Sequence, residues 1–91
     1  MNMELTQKFS SEMLSNWLVE RVAYYLHKDA LEIETDLPLA GYGLDSVYSV
    51  SLCGDLENLL GIYVEPTLAW DYPTINAIVD FLQEELESVI N

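Results

Sequence analysis

Three stretches of this 91-residue chain repeat apolar positions at helical spacing, and no stretch of four or more residues alternates as a strand would. The first runs from a cap at Ser10 or Ser11 to about Lys28. Leu14, Trp17, Leu18, Val22, Tyr25 and Leu26 form its stripe at i, i+3, i+4 spacing. The second runs from Val47 to about Leu60, with Leu52, Leu56, Leu59 and Leu60 facing inward and Val50 and Cys53 beside them. Gly61 suits its C-terminal cap. Gly54 inside it costs roughly 1 kcal/mol relative to Ala, which implies close helix packing there. The third has the cleanest pattern: Thr74 as cap, then Ile75, Ile78, Val79, Leu82, Leu86, Val89 and Ile90 on one face. A short turn of helix, Thr67 to Tyr72, is bracketed by Pro66 and Pro73, with Thr67 as its cap. The expected fold is all-α, a small bundle of three main helices and one short third helix.

Between the first two helices lies a long loop, residues 29–45. It carries Leu31, Ile33, Leu37 and Leu39, so it is expected to pack these aliphatics and be ordered rather than act as a linker. Residues 1–9 lack a clear period and read as a loose lead-in, leaving 10–91 as one domain.

Charge adds an asymmetry. Residues 1–28 balance three acids against Lys8, Arg21 and Lys28, whereas residues 29–91 hold the other 13 of the 16 acids and no Lys or Arg. The net charge of −13 repels nucleic acid and anionic lipid and attracts basic protein patches. With Cys53 as the single cysteine, no internal disulfide or cysteine-based metal cluster can form, and the spacing of acids suggests no metal site. No apolar run approaches a membrane span and no secretory signal is visible, so a cytoplasmic domain, a monomer, is expected.

Candidate chemistry centres on Gly43-Leu44-Asp45-Ser46-Val47. Pro38, Gly41 and Gly43 break the preceding loop, so Ser46 stands where loop gives way to helix and reads as the N-cap of the second helix. The free N–H groups and positive dipole there favour an anion, and a phosphate ester on Ser46 would lie in that field.

Gly43-Leu44-Asp45-Ser46-Val47 resembles the attachment motif of acyl carrier proteins. Leu59-Leu60-Gly61-Ile62 and the run Pro66-Thr67-Leu68-Ala69-Trp70-Asp71-Tyr72-Pro73-Thr74-Ile75 extend the resemblance, which covers the chain from the first helix to about Leu82. The later run is similar to the third-helix region of carrier domains in polyketide and related assembly lines. The resemblance implies an acyl-carrier-like four-helix bundle with no catalytic site. It implies a covalent 4′-phosphopantetheine arm on Ser46, derived from coenzyme A, whose thiol carries acyl groups as thioesters. Asp45 would support recognition by the phosphopantetheinyl transferase, and Asp45, Val47, Asp55 and Glu57 would contact partners. Those partners would be the transferase, an acyl-activating enzyme or acyltransferase, and a ketosynthase or other assembly-line enzyme with a basic docking patch. Peptidyl carriers usually show His before the serine, so Asp45 favours an acyl cargo. Free-standing fatty-acid carriers are acidic along the second helix, whereas Val47 to Gly54 here is uncharged. That departure points to a polyketide, lipopeptide or specialised lipid pathway.

Two other readings stand beside this one. An unmodified acidic helical module could bind a basic partner, or Ser46 could be a nucleophile. The third lacks a base: His27, the sole histidine, reads as a solvated or capping residue, and Cys53 as a small apolar one.

Overall fold

The computed structural model describes residues 8–90, with side chains through Ser88. Helices α1 (Ser11–Leu26), α2 (Ser46–Leu60), α3 (Leu68–Asp71) and α4 (Ile75–Ile90) form the bundle, and two 3₁₀ turns, Ala30–Glu32 and Leu39–Tyr42, interrupt the long loop. No strand occurs among the described residues. Residues 1–7 of the expected lead-in, and the side chains of Val89 and Ile90, lie outside the described residues. Phe9 is buried in the core, and its carbonyl accepts a hydrogen bond from the Gln83 amide at 2.6 Å.

Caps set the helix ends. The Ser10 hydroxyl accepts from the Met13 N–H at 3.1 Å and starts α1. His27 ends it in the left-handed region at φ 56°, its N–H bonding back to the carbonyls of Ala23 and Tyr24. A solvated capping residue is what the sequence implied for His27. Gly61, at φ 71°, closes α2, where a residue with a β-carbon would be strained. At α4, the Thr74 hydroxyl accepts from the Ala77 N–H at 3.1 Å. Thr67 precedes α3 but makes no side-chain cap there; its hydroxyl turns to the Asp71 carboxylate at 3.4 Å instead.

The core is one cluster. Leu14, Leu18 and Val22 of α1 meet Leu52, Leu56 and Leu60 of α2, Leu68 of α3, and Ile75, Ile78, Leu82 and Leu86 of α4. The main contact is α1 against α4. The loop divides its aliphatics. Ile33 and Leu39 are buried, but Leu31 is 92% exposed and Leu37 also faces solvent. Asp29 explains Leu31. Its carboxylate accepts from the Leu31 N–H at 2.9 Å while its own N–H donates to Glu32 at 3.1 Å, a capping box that fixes a turn at the surface.

The loop is nonetheless anchored. The Leu39 N–H donates to the Pro73 carbonyl at 2.8 Å, and the Asn76 N–H donates to the Thr35 carbonyl at 3.0 Å. Gly54 differs from expectation. A β-carbon there would meet nothing within 4 Å, so close helix packing does not account for it. Leu59 packs against the core as a half-buried residue, Val50, expected beside the stripe, is 53% exposed, and Ser49 joins the stripe as a buried polar residue.

Candidate functional site

The second 3₁₀ turn delivers the chain to α2. Gly43, at φ 92°, reverses it in a conformation that few residues other than glycine adopt. Leu44 is buried beside it, and Asp45, Ser46 and Val47 then emerge in solvent. Asp45, not Ser46, is the N-cap. Its side chain accepts from the Tyr48 N–H at 2.9 Å, and its carbonyl accepts from the Ser49 N–H at 2.9 Å. A carboxylate one residue earlier has the reach and the charge for the role, so Ser46 becomes the first helical residue. Two consequences follow. The exposed Ser46 hydroxyl is not committed to holding the helix, and the N–H groups of Ser46 and Val47, in the first turn, have no carbonyl within α2 to bond.

Asp55 and Glu57 do not join this end. Along a helix axis they lie roughly 14 and 16 Å from Ser46. The Tyr25 hydroxyl donates to the Asp55 carboxylate, and Arg21 lies 3.8 Å from the same carboxylate oxygen. Burial first, then the bond and the charge of Asp55, pushes the Tyr25 phenol up to about 12. Glu57 accepts from the Val64 N–H at 3.1 Å on the opposite flank. The two acids thus face α1 and the segment before α3 and have internal partners.

Tyr48, in the first turn of α2, completes the contact with α1, its ring 5.5 Å from that of Tyr25. Between the two flanks the outward face of α2 carries Val47, 69% exposed, Val50, Ser51, Gly54 and Asn58, and no charge. Across a cleft of ≈ 60 Å³ lined by Leu39, Ala40, Leu44, Ser49 and Ala69 stands Trp70, 66% exposed. Neither Trp70 nor Ser49 is among the residues the sequence places at the site. Counting back three from Leu52 would have placed Ser49 on the inner stripe.

Cys53 is buried, and that burial pushes its thiol up, the opposite of what a reactive cysteine needs. Among the described residues no group of His, Cys, Asp and Glu could hold a metal ion, and no helix is long and apolar enough to cross a membrane.

An all-helical bundle that presents an exposed serine at a capped helix start suits a carrier. Residues 16–82 match the family model described as the phosphopantetheine attachment site, and the chain belongs to that family. Domains of this family carry 4′-phosphopantetheine covalently and lack a catalytic activity of their own. Two solved structures are similar to nearly the whole chain. The acyl carrier protein LipD from Actinoplanes friuliensis is 45% identical, with a TM-score of 0.72, covering 97% of this chain and 98% of that one. A free-standing peptidyl carrier protein from an Acinetobacter baumannii secondary metabolic pathway is 41% identical, with a TM-score of 0.81, covering 84% and 95%. Among curated proteins, mellein synthase of Phaeosphaeria nodorum is 42% identical over 60 residues, 66% of this chain and 3% of that protein. The cluster 41 polyketide synthase of Aspergillus flavus is 39% identical over 74 residues, 81% and 7%. The chain therefore spans less than a tenth of these synthases.

Proposed function

We propose that Ser46 is the attachment residue and that this chain carries acyl or peptidyl groups for a secondary-metabolite assembly line. The observation that supports this best is the division of labour at the start of α2: Asp45 caps the helix, so the exposed Ser46 hydroxyl is left free for modification. The residues present suit the group. A phosphodiester on Ser46 would lie beside the open N–H groups of the first turn, in a field worth about 0.3–1 kcal/mol at an exposed helix end. The arm, when attached, supplies a thiol on a flexible chain, and an acyl group held there as a thioester is activated for transfer. The chain's own residues bind and orient: Gly43 turns the loop, Asp45 fixes the first turn, and the anchored loop holds Ser46 outward.

The first partner is a phosphopantetheinyl transferase, which must reach the serine oxygen itself and so must meet Asp45 and Val47. An acyl-activating enzyme or acyltransferase and a ketosynthase or similar enzyme follow. The name of the Aspergillus synthase supports a polyketide type of pathway, and that of the Acinetobacter carrier a secondary metabolic one. The likeness to a peptidyl carrier, despite Asp45 in place of the usual His, widens the cargo to peptidyl groups. Asp55 and Glu57 remain partner contacts in this reading, with part of their charge already engaged by Tyr25, Arg21 and the Val64 N–H.

The test is intact mass after incubation with coenzyme A and a broad-specificity transferase. Wild type should gain one arm, and Ser46→Ala should gain none while staying helical by circular dichroism. A wild type that gains no mass under conditions that modify a known carrier supports the unmodified interaction module instead. Modification of Ser46→Ala would reassign the serine.

A further inference from the structure

A second surface lies at the other end of α2. Tyr63 and Glu65 follow Gly61, and α2 is 15 residues long, so about 22 Å of helix separates them from Ser46. With Asp71, Tyr72, Phe81 and Glu85 they enclose a cleft of ≈ 240 Å³ between α3 and α4. The walls are aromatic. Tyr72 stacks on Phe81 at 4.4 Å between ring centres, and Tyr63 is 74% exposed, its ring open to an incoming group. Stacked and exposed rings of this kind attract a cation to their faces.

The charge around the cleft calls for that cation. Glu65, Asp71 and Glu85 line it, and residues 29–91 contain no Lys or Arg to neutralise them. The one ion pair among the described residues, Arg21 with Asp55, lies on the α1 side of α2. Asp71 accepts only a 3.4 Å bond from the Thr67 hydroxyl. No group of His, Cys, Asp and Glu among the described residues is arranged to hold a metal ion, and two tyrosines and a phenylalanine favour an organic cation.

We propose that this cleft docks an arginine side chain from a segment of a partner protein. A guanidinium is planar and weakly hydrated, so it can stack on Tyr63 while forking its N–H groups to Glu65 and Glu85. A lysine ammonium is a hydrated point charge and gains less from the rings. The surface works independently of Ser46. A partner held here leaves the start of α2 open to a second enzyme.

The test is a backbone amide NMR titration of the full chain with end-blocked Gly-Gly-Arg-Gly-Gly and with the same peptide carrying lysine or citrulline, at physiological salt. The arginine peptide should shift amides within 63–72 and 81–85, lysine should bind more weakly, and citrulline should leave them in place. Tyr63→Ala and Glu85→Gln change exposed residues, so the fold should hold, and each should weaken binding about threefold. Ser46→Ala should bind as wild type does, even if Ser46 proves to be unmodified. Shifts spread equally over Glu12, Glu20 and Asp29 would show general attraction to an acidic surface and overturn the assignment. So would equal binding of citrulline, indifference to both variants, or no response to arginine. Equal binding of lysine would overturn the preference for a guanidinium.

Discussion

Helices α4 and α2 differ by one residue in length, 16 against 15, yet they sort their residues between core and solvent differently. In α4 the inward positions Ile75, Ile78, Val79, Leu82 and Leu86 are all buried, and Asp80, Glu84, Glu85 and Glu87 all face out. In α2 a serine is buried, two valines are exposed, an interior glycine has no packing reason, and two acids point sideways into hydrogen bonds. A helix whose work is packing can follow its periodicity throughout. A helix that must also present a surface departs from it, and the departures of α2 begin within a turn of Ser46.

That contrast can be broken at either helix. The largest effect should come from α4: Leu82→Ala removes a fully buried side chain, and about 2–5 kcal/mol of stability should go with it in urea or thermal unfolding. Any loss of modification in this variant should follow the fraction unfolded. Next is the contact between α1 and α2. Tyr25→Phe deletes the bond to the Asp55 carboxylate and should cost roughly 1.5 kcal/mol. Burial of the Tyr25 phenol, with the bond to Asp55, also has a pH signature. Because folding raises the Tyr25 phenol from 10 to about 12, the folded state holds its proton longer than the unfolded state. The contribution is complete below about pH 10 and is lost as pH rises toward 12. Absorbance titration should show one tyrosine ionising late in wild type and absent in Tyr25→Phe.

Asp45→Ala should cost about 1 kcal/mol, the loss of a cap, whereas Asp45→Asn keeps a capping oxygen and should cost less. If Asp45→Asn is folded and still slow to accept the arm, the transferase reads the charge. If it is modified at the wild-type rate, capping is the whole role of Asp45. The smallest effects on stability belong to Ser46→Ala and Val50→Lys, each within about 0.5 kcal/mol, since both side chains are exposed. Ser46→Ala should nevertheless abolish modification, and Val50→Lys should raise the KM of the transferase. A Ser46→Ala variant destabilised by a full kilocalorie or more would return the capping role to the serine.

Helix number, order and approximate ends were legible because caps and period agreed: Ser10, Gly61 and Thr74 end or begin their helices where the pattern changes. The start of α2 was legible to within one residue. Asp and Ser both cap well, and adjacent candidates cannot be separated without backbone angles, so the cap was placed on Ser46 rather than Asp45. Aliphatic content alone misled for Leu31, because a local capping box can hold a turn at the surface whatever its side chains prefer, and for Leu37, which lies exposed in the bend before Pro38. The contact of Tyr25 with Asp55 spans 30 residues and depends on how α1 and α2 rotate against each other, which no local pattern encodes. It also changes the meaning of the acidic residues. A carboxylate counted as free surface charge in the sequence is partly engaged inside the bundle.

The loop that leads to Asp45 is fastened by two bonds to the start of α4, Leu39 to the Pro73 carbonyl and Asn76 to the Thr35 carbonyl. These bonds make the loop and the first turn of α4 a single cooperative unit, in which neither part opens without the other. The amide hydrogens of Leu39 and Asn76 should therefore exchange with solvent at a common rate, slower than that of exposed Ala40. The segment that presents the serine is then held in part by the start of the last helix, and a protease that searches for a long surface loop should find this one closed.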